Sequence, residues 1–169
     1  HIGSNPFFSG SSHIQETHII EEVAKGAVAI AQKGRGALVV FEREINLEYF
    51  IEIGTEMDSM VSSELLNSIF EPQSPLHDGA VIIRNGRIFA AGCFLPLSKN
   101  PALDKNLGTR HRAAIGLGEE TDALVIVVSE ESKQVGLVEG GQITTDVDHA
   151  ALRKYLYDAF GIKRRGSST

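Results

Sequence analysis

The sequence predicts one α/β domain, a single globular unit with a central mixed β-sheet flanked by helices, and three observations carry that expectation. Continuous apolar runs at residues 36–41 and 123–128 have the pattern of strands covered on both faces. Two further pairs of runs are joined by turn dipeptides, Asn85-Gly86 and Gly140-Gly141, as antiparallel hairpins are. Segments with apolar residues at helical spacing stand before, between and after these runs. With 169 residues, 42% apolar and 22% charged, the chain is long enough for one domain with a real core.

In order, residues 16–33 set Ile19, Ile20, Val23, Ala24, Ala27, Val28, Ile30 and Ala31 against Glu21, Glu22, Lys25, Gln32 and Lys33, an amphipathic helix that ends at Gly34. Residues 36–41 follow as a β-branched central strand, closed by Glu42-Arg43-Glu44. Residues 46–54 read ambiguously, as a helical turn at Leu47-Glu48-Tyr49-Phe50 and then an extended piece through Met60-Val61. Ser62 or Ser63 caps a short helix with Leu65, Leu66, Ile69 and Phe70 on one side, and Pro72 and Pro75 stop it. Residues 80–91 form the hairpin around Asn85-Gly86, whose residues take positive φ readily. After a polar loop at 95–107, Thr109 or a close neighbour caps a helix through Ala113, Ala114, Ile115 and Leu117. A buried strand at 123–128, a second hairpin at 134–144 and a closing helix at 148–160 complete the domain.

Composition narrows the function. Sixteen Lys and Arg against 22 Asp and Glu leave a net charge of -6, no footprint for nucleic acid or an anionic membrane, so any anion must be met locally. The single cysteine, Cys93, lies in an apolar run where a thiol behaves as a small buried hydrophobe; no disulfide or cysteine-type zinc site can form within the chain, which fits a reducing compartment. No uninterrupted apolar segment approaches the roughly 20 residues needed to span a bilayer. Residues 1–12, rich in Gly, Ser and Asn and lacking an initiating Met, read as a linker or tag remnant, and residues 161–169 as a flexible basic tail.

Two motifs stand out. Asp78-Gly79 before a strand is, as a bare pair, more often a turn residue with its glycine; the functional reading makes Asp78 a general base or metal ligand and Gly79 a point of close approach for a nucleotide, and His77 beside it favours that reading. Arg110-His111-Arg112 at a helix start is either solvated or holds an anion. The macrodipole makes that end already positive, so three cationic residues there call for a negative partner, and guanidinium forks suit a triphosphate. His77, Glu130 and Glu131 taken singly are structural or solvated; together they can bind a divalent ion, with a histidine ligand favouring manganese or cobalt over magnesium. Ser98, Ser129 and Cys93 lack a nucleophile elbow, His111 between two arginines is a poor base, and neither a P-loop nor a Gly-x-Gly-x-x-Gly unit is present. The equipment is that of phosphoryl chemistry in a site of another type.

Leu76-His77-Asp78-Gly79-Ala80, Leu95-Pro96-Leu97-Ser98, Gly108-Thr109-Arg110-His111-Arg112-Ala113-Ala114 and Val127-Val128-Ser129-Glu130-Glu131 together resemble the diadenylate cyclase domain of bacteria, in matching order from the first helix to about Phe160. The resemblance is to the membrane-tethered form and implies a cytoplasmic catalytic domain, tethered through a segment outside this chain. It implies condensation of two ATP into cyclic di-AMP with release of two pyrophosphates, a divalent metal, and self-association into a face-to-face dimer. Carried residue by residue, it makes Asp78 the group that orients or deprotonates the ribose 3′-hydroxyl and Gly79 a close nucleotide contact. Arg110, His111 and Arg112 hold phosphates, helped by Thr109 and Ser129, and His77, Asp78 and Glu131 face the metal. Leu76, Phe94 and Leu95 lie at the adenine, with Ala80 and Gly108 completing the nucleotide set; Phe94 stands where relatives often carry tyrosine, keeping the stacking face without the hydroxyl. The alternatives are a non-catalytic nucleotide sensor and plain metal-dependent nucleotide hydrolysis.

Overall fold

The structure, a computed structural model, describes residues 12–163. The first helix, α1 (His13–Gln32), starts earlier than its apolar stripe because Ser12 and Gln15 form a capping box: each side chain accepts from the other's backbone amide. Strand β1 (Ala37–Phe41) is buried along its whole length, as its unbroken apolarity requires. The ambiguous stretch resolves into a short helix α2 (Glu48–Glu52) and strand β2 (Thr55–Met60). Ser62 caps α3 (Ser63–Ile69) by accepting from the Leu65 amide.

Strands β3 (Ala80–Arg84) and β4 (Arg87–Cys93) form the expected hairpin, with Asn85 and Gly86 at φ 51° and 74°. Helix α4 (Thr109–Glu120) and strand β5 (Leu124–Val128) follow, then the hairpin of β6 (Val135–Glu139) and β7 (Gln142–Thr144), and α5 (His149–Phe160). Gly161, at φ 67°, closes α5, and Ile162 is buried with the core, so the fold runs past the helix end. The remaining expected tail, 164–169, and the expected leader, 1–11, lie outside the described residues.

The seven strands form one mixed sheet in the order β2-β4-β3-β1-β5-β6-β7, in which only β1 and β3 run parallel. Alternation along the strands assigns the two faces. Val39, Phe41, Val81, Ile83 and Ile126 pack with α1, α3 and α5, while Leu38, Val40, Ile82, Val125 and Val127 pack with α2 and α4. Three layers result, with β1 and β5 sandwiched between helices; burying each such Val, Leu or Ile contributes about 1.5–3 kcal/mol. Glu21 ties α1 to α5, accepting from Arg153 at 2.8 Å and from the Tyr157 hydroxyl at 2.6 Å.

Candidate functional site

Strand direction and register bring the two motifs to one end of the sheet. In the ladders Val39 pairs with Val81, Ala37 with Val128, Val128 with Val135, and Ala80 with Cys93. Extending the parallel register two residues sets Gly79 level with Ala37 and therefore with Val128. The starts of β3 and β1 and the end of β5 thus share an edge, with Asp78 preceding the first and Ser129 following the last. Two strand spacings, about 10 Å, separate them.

Helix α4 supplies the cationic side. Gly108, not Thr109, occupies the capping position, in extended backbone with no side-chain cap, and Thr109 is the first helical residue. A glycine there leaves the amides of the first turn without a side-chain acceptor, so they face outward beside the positive end of the helix. The loop after β4 braces α4: the Ser98 amide donates to the Arg112 carbonyl at 2.9 Å, and the Ser98 hydroxyl donates to Glu119 at 2.9 Å. The Leu95-Pro96-Leu97-Ser98 motif therefore has a scaffold duty, and Gly116 lets it approach, since a Cβ there would overlap the Pro96 carbonyl.

Between the start of α4 and the β5–β6 loop lies a cleft of about 440 Å³ whose walls include Gly108, Thr109, Arg110, His111, Ser129 and Glu131. Arg110, half-buried, has no ion-pair or hydrogen-bond partner among the described residues, an uncompensated cation at an already positive helix end. Burial, reinforced by the neighbouring Arg110 charge, holds His111 below its ordinary value of 6.5, so at neutral pH its imidazole is uncharged. The Ser129 hydroxyl oxygen accepts from the Ser132 amide at 3.1 Å and keeps its proton to donate.

Arg112 is used differently. Its Nε and a terminal nitrogen donate to the Leu107 and Asp104 carbonyls at 3.3 and 3.2 Å, so it fastens the loop before α4, and it is not among the residues lining the cleft. The residue expected to hold phosphate thus also meets backbone oxygen, because the preceding loop turns back on the helix start.

On the Asp78 side, Asp78 is exposed, and His77 donates from Nδ1 to the Ser74 carbonyl at 2.7 Å. That bond fixes the proton on Nδ1 of the neutral ring and leaves Nε2 as a free lone pair. Gly79 has φ 114°, and a Cβ on it would meet the Gly92 carbonyl carbon at 2.8 Å and the Cys93 nitrogen at 3.0 Å. The fold itself demands this glycine, whatever approaches it from outside. Leu76 packs over Gly92, Ala80 is buried, Leu95 is half-buried, and Phe94 is 57% exposed. Cys93 is buried and its thiol is pushed up to about 12 by burial, which removes it from chemistry.

No group of three or more His, Cys, Asp or Glu side chains converges to hold a metal ion among the described residues. His77, Asp78 and Glu131 are thus not assembled as a ligand trio within one chain. Sequence reading missed Ser132, Gln134 and Thr145, which also line the cleft.

Comparison with known proteins points one way. Residues 24–143 match the family described as "DAC: DisA bacterial checkpoint controller nucleotide-binding". The chain is 42% identical to "Cyclic di-AMP synthase CdaA" of Bacillus subtilis over 99% of its own length and 63% of that protein's. It is 44% identical to a "Diadenylate cyclase" of Listeria monocytogenes over 84% of its length and 52% of that protein's. The chain therefore spans a little over half of each of these relatives. A crystal structure of a double mutant of DacA from Staphylococcus aureus superposes with a TM-score of 0.82 at 42% identity, covering 84% of this chain and 95% of that one. A crystal structure described as a hypothetical membrane spanning protein from Bacillus cereus gives a TM-score of 0.71 at 44% identity, over 73% of this chain and 61% of that one.

Proposed function

This chain belongs to the DAC family of DisA-type nucleotide-binding domains, and from that premise we propose that it condenses two ATP molecules into cyclic di-AMP and two pyrophosphates. The single observation that carries the reading is the shared sheet edge: an exposed Asp78 at the start of β3, two strands from a cleft with an unpaired Arg110. One ATP would lay its triphosphate against Arg110, the first-turn amides of α4 and the Ser129 hydroxyl, and its adenine against Leu76 and Phe94. Asp78 would take the proton of the ribose 3′-hydroxyl as that oxygen bonds to the α-phosphorus of a second ATP, whose pyrophosphate leaves with the electron pair of the broken P–O bond.

Positioning and charge complementarity account for the catalysis without a covalent intermediate. Arg110 and the helix amides favour the charge that develops on the departing pyrophosphate. The described residues of one chain set one Asp78 beside one such cleft, so in this reading the reaction needs a second copy facing the first. The exposed Phe94 and Leu97 beside the site supply apolar surface for that contact. The divalent ion stays part of this reading on the strength of the free His77 Nε2 and the adjacent Asp78 carboxylate, two donors that do not by themselves complete a coordination set. No step above is routed through it.

No described helix is long and apolar enough to cross a membrane. The similarity to a membrane spanning protein supports a tether in a part of the natural protein outside this chain.

The test is to incubate the protein with ATP and manganese, resolve the products by chromatography, and vary protein concentration. Cyclic di-AMP should form at a rate that rises more than linearly while dimers are scarce, and Asp78→Asn should bind ATP without making product. ADP or AMP as the product refutes condensation, binding without product supports a sensor, and a strictly proportional rate refutes the dimer.

A further inference from the structure

We infer that Gly36 is a positioning residue for this site: by lacking a side chain it provides the seat in which the Arg110 guanidinium lies, level with the triphosphate cleft. The inference deepens the function proposed above and rests on it for the identity of the anion. Gly36 is buried, although it directly precedes the first residue of β1, and the group that covers it is Arg110. A Cβ at Gly36 would overlap the guanidinium carbon and a terminal nitrogen of Arg110 and stand 2.6 Å from Nε. No backbone or other side-chain atom is nearer to that position than the Arg110 fork.

The seat is fixed from behind. The Arg35 amide donates to the Ile30 carbonyl at 3.2 Å, and the Arg35 guanidinium pairs with Glu71 at 2.7 Å, so the turn from α1 into β1 cannot slide. Ala37 pairs with Val128, which places Gly36 beside the beginning of the β5–β6 loop that forms the far wall of the cleft. An arginine with no ion pair keeps many rotamers open. Gly36 removes one obstacle and leaves the space in which the fork lies, and the fork has no hydrogen-bond partner among the described residues. Backbone geometry does not dictate this glycine, since Gly36 lacks the positive φ of Gly34 and Gly79. What a side chain at Gly36 would meet is the Arg110 fork.

The test is a cycle of four proteins: wild type, Gly36→Ala, Arg110→Ala and the double variant, each measured for ATP affinity by calorimetry, for cyclic di-AMP formation and for melting temperature. Displacing the fork by about an ångström should weaken ATP binding or turnover tenfold to a hundredfold in Gly36→Ala, with the melting temperature held. With Arg110 already alanine the space is empty, so adding Gly36→Ala should change nothing further. If Gly36→Ala folds only when Arg110 is also removed, the melting temperatures report the same coupling and support the inference. Wild-type-like ATP binding and turnover by Gly36→Ala would overturn it and leave the proposed function standing. An equal loss in both Arg110 backgrounds would overturn it as well, by exposing a merely structural role. If wild type binds ATP but yields no cyclic product, the proposed function falls and the binding cycle still decides the seat. If wild type binds no ATP, both fall.

Discussion

Replacing Gly79 by alanine tests whether the fold, apart from any nucleotide, requires that glycine. At φ 114° the residue sits outside the left-handed well that side-chain-bearing residues tolerate, a strain of about 1–3 kcal/mol. The added Cβ would also stand 2.8 Å from the Gly92 carbonyl carbon and 3.0 Å from the Cys93 nitrogen, both backbone atoms of β4. Ordinary contact needs about 0.6 Å more, and the only way to gain it is to part β3 from β4 where Ala80 pairs with Cys93. Losing a ladder hydrogen bond there adds about 1 kcal/mol. The sum, about 3 kcal/mol, is a large share of the roughly 5–15 kcal/mol that holds a domain together. Urea unfolding followed by circular dichroism, without nucleotide, should show a lowered midpoint at constant slope whose product with that slope is of this size. A change below about 0.5 kcal/mol, within the ordinary scatter for surface substitutions, would refute the argument and return Gly79 to a purely nucleotide-facing role.

Three other outcomes are expected. Arg110→Ala should not destabilise the fold, because no hydrogen bond or ion pair among the described residues is lost and a cation leaves a positive helix end, while ATP affinity falls about tenfold to a hundredfold as charge-assisted bonds disappear; calorimetry that finds equal affinity removes Arg110 from nucleotide binding. His111, held below 6.5 by burial first and Arg110 second, lends stability that is present above pH 6.5 and lost as pH falls through its lowered value. A bound triphosphate reverses the local sign, so ATP affinity should rise on acidification from about pH 7.5 to 6 with uptake of at most one proton, and titrations in buffers of different ionisation enthalpy should lose that uptake in His111→Gln. Glu42→Gln should cost about 1–3 kcal/mol, since Arg84, 18% exposed, loses a charged two-pronged partner at 2.8 Å and keeps Glu48 and the face of Phe89; thermal unfolding reads it, and an unchanged midpoint would show the pair to be dispensable.

How much of this was legible varies by element for physical reasons. β1 and β5 were readable because strands covered on both faces must be apolar throughout, and the β3–β4 hairpin because Asn85-Gly86 carries its own backbone requirement. β2 was hard to place: as an edge strand it is mostly exposed, and Thr55, Glu56, Asp58 and Ser59 follow no core pattern. The start of α1 was written in Ser12 and Gln15 but hidden by the Gly- and Ser-rich composition around them. Asp78, Arg110 and Ser129 were singled out as candidates through a multi-part motif, yet the edge that the structure gives them in common depends on which strands are neighbours, a matter of long-range packing. Arg112 shows the limit most plainly. Its residue type announces phosphate, and only the path of residues 104–107 reveals that it also fastens two loop carbonyls.

Because all the loops discussed as functional gather at one end, the opposite end is left with two tight reversals, Asn85-Gly86 and Gly140-Gly141. Gly140 is exposed, with open space where a side chain would begin. That makes the Gly140-Gly141 tip a natural handle: a dye, an affinity peptide or a surface linkage grafted there would stand at the far end of the sheet from Asp78 and the Arg110 cleft. Single-molecule and immobilised assays of pairing could then be run with the working edge unobstructed.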